Sequence, residues 1–302
     1  MELIEKINQL KKERNAVILA HNYQLPEIQD MADYVGDSLG LSIQASKTNA
    51  DVIVFCGVYF MAETAKILSP DKTVLIPDRN AGCPMADMIT AEDLRKLKAE
   101  HPGAKVLCYV NTTADVKAEC DVCCTSGNAE KIVRNVFHQD DEAIFVPDQY
   151  LASWISGRLG RDFIIWQGYC PTHVKILPED IIKRKDLYPN AEVLVHPECP
   201  PGITTLADHV LSTEGMCRYV KEAKMREFII GTEIGILHRM KKENPDKFFY
   251  PASERAICPS MKRTTLEKVL WSLEGMGHEV TVSRDIMQKA KACLQKMIDH
   301  KP

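Results

Sequence analysis

The chain has 302 residues, 45% hydrophobic and 26% charged, the make-up of a folded globular protein of one to three domains rather than of a disordered chain. A formal net charge of −4 argues against nucleic acid as the main partner, and no segment approaches the roughly 18 unbroken apolar residues of a membrane span. The opening "MELIEKINQLKKERN" has the charge alternation of an amphipathic helix rather than the apolar centre of a signal peptide, so the cytoplasm is the expected compartment.

In chain order, the first helix is followed by an apolar strand over 16–21 that ends in His21 of "VILAHNY". A hydroxyl-capped helix is expected from Ser38 in "VGDSLG", then strands over 52–57 and 73–77 separated by the helix "FMAETAKIL", and a loop carrying Cys83-Pro84. The order then recurs. A strand over 105–110 carries Tyr109 in "VLCYVNT", Ser126 of "CTSGNA" marks the next helix start, and strands over 143–147 and 162–166 lead to Cys170-Pro171. The third pass runs from a strand over 192–196, ending in His196 of "VLVHPEC", through Thr213 of "LSTEGM". Strands over 227–231 and 247–250 then lead to Cys258-Pro259.

The spacing is regular. Cys83, Cys170 and Cys258 are 87 and 88 residues apart; His21, Tyr109 and His196, like Ser38, Ser126 and Thr213, are 88 and 87 apart. Three marker sets sharing one interval indicate a degenerate threefold repeat. Strands apolar throughout and separated by helices indicate parallel sheets covered on both faces. The expected fold is therefore α/β: three similar three-layer α/β/α domains with short parallel sheets around a pseudo-threefold axis. The expected domains are 1–88 with the C-terminal part of the chain, 89–175, and 176–302 with C-terminal helices, each boundary within about 15 residues. Ligand sites in such folds lie beyond the carboxyl ends of the strands, so the three marker sets are expected to meet at one central site.

Eleven cysteines in a reducing compartment point to metal ligation, catalysis or core packing rather than to disulfides. The cluster Cys120, Cys123, Cys124 has no second CxxC or HxxxH partner for zinc and reads as buried small hydrophobes. Cys-Pro occurs four times, counting Cys199-Pro200, where chance predicts fewer than one at ordinary proline abundance. Proline holds the preceding residue extended, a suitable mount for a thiolate at a loop tip. Three isolated cysteines do not make the local pairs of structural zinc sites, whereas a 4Fe-4S cluster held by three thiolates leaves one iron open as a Lewis acid. Ser38, Ser126 and Thr213 at helix starts suit a small anionic substrate. His21, Tyr23, Tyr109, Asn111, His196 and Glu198 supply acid/base groups and donors.

With these residues in hand, the chain resembles the quinolinate synthase family over essentially its whole length, through "LAHNYQ", "GDSLG", "YVNT", "CTSGNA", "HPECP", "GTEIG" and the three phased Cys-Pro loops. The resemblance implies condensation of iminoaspartate with dihydroxyacetone phosphate to give quinolinate, phosphate and water, with Cys83, Cys170 and Cys258 holding a 4Fe-4S cluster. It also implies an iminoaspartate-producing aspartate oxidase or dehydrogenase as functional partner. By matching motif, His21, Ser38, Tyr109, Val110, Asn111, Ser126, His173, His196, Pro197, Glu198 and Thr213 line the substrate pocket. Tyr23 becomes the proton shuttle and Glu198 the base, with His21 and His196 beside them. The C-terminus carries only Cys293 in place of the CxxCxxC run of some members. An aconitase-like hydro-lyase acting on another small acid, or a non-catalytic iron-sulfur scaffold, are the alternative readings.

Overall fold

The apolar runs form strands because β-branched and aromatic residues pack well on a pleated, two-sided buried surface. In the computed structural model, which describes residues 2–300, they build three four-stranded parallel sheets. The first contains β1 (Ala16–His21), β2 (Tyr34–Gly36), β3 (Val52–Cys56) and β4 (Thr73–Leu75), in the order β2-β1-β3-β4. The second contains β5 (Lys105–Tyr109), β6 (Val122–Cys124), β7 (Ala143–Val146) and β8 (Ile164–Ile165), in the order β6-β5-β7-β8. The third contains β9 (Glu192–Val195), β10 (His209–Val210), β11 (Glu227–Gly231) and β12 (Phe248–Pro251), in the order β10-β9-β11-β12. Every strand pair within the three sheets is parallel. The three similar α/β units expected from the period are present.

Each sheet has one strand more than the sequence suggested. The additional edge strands β2, β6 and β10 are two or three residues long, too short to carry a hydrophobic pattern, and a side chain rather than a ladder sets their entry. Asp33 Oδ2 accepts the backbone N–H of Ile18 at 2.8 Å, Asp121 Oδ2 that of Val106 at 2.7 Å, and Asp208 Oδ2 that of Val193 at 2.7 Å. The aspartates' own N–H groups bond back to the carbonyls of Ile18, Val106 and Val193. These three aspartates keep the 88- and 87-residue spacing and form a fourth marker set that composition alone did not reveal.

Helices cover both faces. Helices Glu2–Glu13 and Leu266–Gly275 pack together on the first sheet, where Ile7, Ile18, Val54, Val269 and Leu273 share one apolar cluster. The C-terminal helix Arg284–Asp299 packs on β6 and on helices Ala114–Lys117 and Tyr59–Leu68, bridging the first and second sheets. Asn128 Nδ2 fastens its end through the carbonyls of Met297 and His300, both at 3.0 Å. No helix among the described residues is long and apolar enough to cross a membrane.

Candidate active site

The carboxyl ends of β1, β5 and β9 deliver His21, Tyr109 and, one residue on, His196. The loops after β4, β8 and β12 carry Cys83, Cys170 and Cys258, each followed by a one-turn 3-10 helix: Ala86–Met88, His173–Lys175 and Met261–Arg263. These residues, with Tyr23, Ser38, Asn111, Ser126, His173, Glu198 and Thr213, line a single cavity. All three periodic sets thus face one space. Of the expected pocket residues, Val110 and Pro197 are buried beside the cavity and are not among its lining residues.

The helix starts differ from expectation in one respect. Asp37, not Ser38, caps helix Ser38–Lys47 through the N–H of Gly40, and Ser212, not Thr213, caps helix Thr213–Glu222 through the N–H of Gly215. Ser38 and Thr213 occupy the first helical position, one residue past the cap. In the second unit Ser126 stands ahead of helix Ala129–Val136, while Asn128 Oδ1 accepts from the N–H of Thr125 at 2.7 Å. The three hydroxyls are therefore not committed to capping. Asp37 itself is pushed up to about 6 by burial, against the N–H of Gly40.

His21 and His196 are matched. Nδ1 of His21 accepts the N–H of Tyr23 at 3.1 Å, and Nδ1 of His196 accepts the N–H of Glu198 at 3.3 Å. Burial lowers both imidazoles to about 3, so each is neutral with its proton on Nε2. The Nε2–H of His196 then reaches Ser126 Oγ at 3.0 Å.

Glu198 is the hub. It is 3% exposed; its Oε1 accepts the phenol of Tyr109 at 2.5 Å and lies 3.5 Å from Nδ2 of Asn111. Its Oε2 is 2.7 Å from Nδ1 of His173, off the direction of a well-aligned hydrogen bond. Burial alone would raise its acidity constant, but the imidazoles of His173 and His196 and the phenol of Tyr109 hold it well below the usual carboxylate range. Burial, then the nearby Glu198 charge, pushes the phenols of Tyr23 and Tyr109 well above their ordinary value.

The residues present fit a metal cluster by the chemistry of their donors. All eleven cysteines are free, and only Cys83, Cys120, Cys170 and Cys258 are partly accessible. Cys199, the fourth Cys-Pro residue, is packed in an apolar cluster of the third sheet. Burial pushes the Cys83 thiol up to about 12 and raises those of Cys170 and Cys258, opposed in each case by backbone N–H groups two and three residues further on. A bound cation would reverse that balance, since it selects the thiolate. Among the described residues, the trio with ligand atoms all within 4.8 Å of one another is Cys170, His173 and Glu198, which the contact of His173 with Glu198 already explains. The three Cys-Pro cysteines are not such a trio; they stand too far apart to share one ion at a metal–sulfur distance of about 2.3 Å, and suit a polynuclear group.

Sequence reasoning passed over Thr232 and Glu233. Glu233 is fully buried; Oε1 accepts the N–H of Cys258 at 3.1 Å and pairs with Lys262 Nζ at 2.8 Å, while Lys262 also donates to the carbonyl of Tyr23 at 2.5 Å. The two residues follow β11 within the quoted "GTEIG". Their counterparts after β7, Pro147 and Asp148, lie 85 residues earlier, because Lys105 pairs with Ala143 whereas Glu192 pairs with Phe228. The loop-length difference puts this position out of the 87- and 88-residue phase, and only a gapped comparison of the repeats would have found it.

Comparison with known proteins follows the same outline. The family model described as "Quinolinate synthetase A protein" matches residues 5–299. A quinolinate synthase of Dehalococcoides mccartyi (strain CBDB1) is 57% identical over 298 residues, covering 98% of each chain. Those of Methanosarcina barkeri and Thermodesulfovibrio yellowstonii are each 54% identical, over 297 and 296 residues, covering 98% of this chain and 97% of theirs.

Proposed function

The chain belongs to the quinolinate synthase family and is an enzyme of that type; on that premise we propose that it condenses iminoaspartate with dihydroxyacetone phosphate to form quinolinate, phosphate and water. An aspartate oxidase or dehydrogenase would supply the labile imine, and the cytoplasm is the proposed compartment. The observation that carries the reading is that the three periodic residue sets line one cavity.

Cys83, Cys170 and Cys258 would hold a 4Fe-4S cluster. When bound, it supplies an iron without a protein ligand, a Lewis acid for a substrate oxygen. The chain's own residues do the rest. Among the described residues the cavity lining contains no arginine or lysine, so substrate carboxylates would be met by neutral donors: the Ser38 and Thr213 hydroxyls at two helix N-termini, the free N–H groups there, Ser126, and the Nε2–H of His21. Such fixed dipoles in a largely buried site stabilise anions without reorganising. Glu198, ionised and held by Tyr109 and His173, is the base that removes protons during tautomerisation and dehydration, with Tyr23 as the acid–base group opposite. The three sheets, each with its covering helices, are taken as the domains, with the boundaries given above.

Protein purified without oxygen should contain about four irons and four sulfides per chain, and should convert iminoaspartate and dihydroxyacetone phosphate to quinolinate with equimolar phosphate. A cluster-loaded protein that releases no phosphate from this pair, but dehydrates another hydroxy acid, would overturn the reading.

A further inference from the structure

Four cysteines gather in the second unit, and none of them lines the central cavity. Cys108 on β5 and Cys123 on β6 stand opposite each other in the parallel ladder. Cys120 precedes β6, and Cys293 comes from the C-terminal helix that packs on that strand. Their order in space is a line. Cys120 is partly accessible, Cys108 touches both Cys120 and Cys123, and Sγ of Cys123 lies 2.7 Å from Sγ of Cys293, 170 residues further along the chain.

Neither core packing nor a metal cage accounts for this line. Apolar heavy atoms in contact sit about 3.5–4.0 Å apart, and the Cys123–Cys293 separation falls between that and the roughly 2.05 Å of a disulfide. Zinc takes four ligands around one point, yet no three of these sulfurs lie within 4.8 Å of one another. The surroundings are not purely apolar either. Lys117 is fully buried; its ammonium donates to the carbonyl of Thr112 and lies 5.2 Å from the centre of the Phe60 ring, while Glu63 feels its charge from beyond ion-pair distance. A buried cation calls for an anion. Cys108 can supply it, with Sγ 3.1 Å from the Thr112 hydroxyl. Burial pushes this thiol up, but the contacts with Cys120 and Cys123 and the charge of Lys117 outweigh burial and hold it well below the ordinary thiol value. Cys120 and Cys123 are raised, above all by burial.

We propose that Cys123 and Cys293 are a redox-modification site, a dithiol that closes to a disulfide, and that Cys120 and Cys108 carry the oxidising equivalent to it from solvent. The co-reactant is a small disulfide such as oxidised glutathione. Cys120 attacks it, forming a mixed disulfide and releasing one small thiolate. Cys108, the residue with the thiolate character that exchange requires, attacks the Cys120 sulfur, and the second small thiolate leaves. Cys123 then attacks Cys108 and frees Cys120; Cys293 attacks Cys123 and frees Cys108. One S–S bond breaks for each that forms. The protons of Cys123 and Cys293 end on the two released small thiols, so one small disulfide is reduced for one protein disulfide made. In a reducing compartment the pair rests as thiols. Stepwise exchange suits sulfurs on residues that are 0% and 1% exposed, because only Cys120 has to meet the oxidant. The closed bond ties β6, which runs into the cavity residues Thr125 and Ser126, to the helix that bridges the first and second sheets.

The test uses iron-loaded protein held without oxygen, incubated with oxidised glutathione and then alkylated for peptide mass mapping. The expected product is a Cys123–Cys293 cross-link with two thiols lost per chain, reversible by dithiothreitol, and a melting temperature higher by about 5 °C or more. Cys293→Ser should show no such rise. Cys120→Ser and Cys108→Ala cut the route at two points, and each should slow cross-linking at least about tenfold while reaching the wild-type extent. Cys120→Ser leaves the sheet core untouched, so it reads the relay even if Cys108→Ala does not fold. A folded, iron-loaded wild type that forms no Cys123–Cys293 cross-link at any glutathione ratio, or cross-links other cysteines instead, overturns the site. Cross-linking of the folded variants at the wild-type rate overturns the relay. Quinolinate formation enters neither outcome, so the functional reading stands or falls separately.

Discussion

The phenol of Tyr109, at the end of β5, donates to Oε1 of Glu198, beyond β9, at 2.5 Å. The bond joins two sheets and places the negative charge of the cavity at a fixed point between them. Replacing Tyr109 by phenylalanine should cost about 1–3 kcal/mol of stability, the usual penalty for stripping a partner from a buried acceptor. Glu198→Gln keeps the shape and a hydrogen-bonding oxygen but removes the carboxylate proposed as base. It should lower kcat by roughly 10² or more with iron content unchanged; a melting curve and steady-state kinetics on the same preparations separate the two effects.

The two neutral imidazoles make a pH prediction. In the unfolded chain a histidine titrates near 6.5, whereas folded His21 and His196 titrate near 3. Below about pH 6.5 the unfolded state therefore binds protons that the folded state refuses, and stability falls as pH falls through the window from 6.5 to 3. At pH 5 each imidazole should cost about 2 kcal/mol relative to pH 7.5. Chemical denaturation at the two pH values, for the wild type and for the double variant His21→Asn, His196→Asn, should show the smaller acid loss in the double variant. Equal losses would mean the two rings are not held neutral.

The first, third and fourth strands of each unit, their parallel order and the phased cavity-lining cysteines, histidines and hydroxyls were legible in the sequence because they recur at one interval, and because buried parallel strands are continuous apolar runs. The edge strands β2, β6 and β10 were not, since two or three residues carry no pattern and their place is fixed by Asp33, Asp121 and Asp208. Thr232 and Glu233 escaped because repeat-to-repeat loop lengths differ just there. The capping roles of Asp37 and Ser212 escaped for a local reason: in "GDSLG" and "LSTEG" two adjacent residues can each cap a helix, and backbone geometry alone decides which does.

Gly168 sits two residues before Cys170 and pairs with the segment after β7, its carbonyl accepting the N–H of Gln149 at 2.8 Å. A methyl group at this position would lie 2.4 Å from the carbonyl oxygen of Pro147, a backbone atom that yields only if the loop moves. Gly168→Ala should therefore lose about 1–3 kcal/mol through overpacking, and bind less iron because Cys170 is displaced. A methyl group on Gly157, in helix Gln149–Leu159, would point into open space. Its change to alanine should add about 0.5–1 kcal/mol and leave iron content alone. Iron analysis beside thermal melts of both variants checks the contrast.

The serine exchanges should sort the cysteines by place. Cys83→Ser, Cys170→Ser or Cys258→Ser should strip or severely deplete the visible chromophore of protein prepared without oxygen. Cys199→Ser, buried in the third sheet's core, and Cys120→Ser, outside the cavity lining, should keep it. Loss of the chromophore in Cys199→Ser with retention in Cys258→Ser would refute the threefold assignment.

The hydroxyls at the helix starts allow function and stability to be pulled apart, because capping and cavity lining fall on adjacent residues. Ser212 caps helix Thr213–Glu222, while Thr213 lines the cavity. Ser212→Ala should cost about 1 kcal/mol of stability and change quinolinate affinity little. Thr213→Ala and Ser38→Ala remove no cap, so their melting shifts should be smaller. On the proposed reading each deletes a hydrogen bond to a bound carboxylate, worth about 1.5–3 kcal/mol, on the order of ten- to a hundredfold in Kd. Calorimetric titration of quinolinate into cluster-loaded variants, with melts on the same samples, reads both quantities. If Thr213→Ala binds as wild type while Ser212→Ala does not, the anion is held by the cap and not by the residue after it.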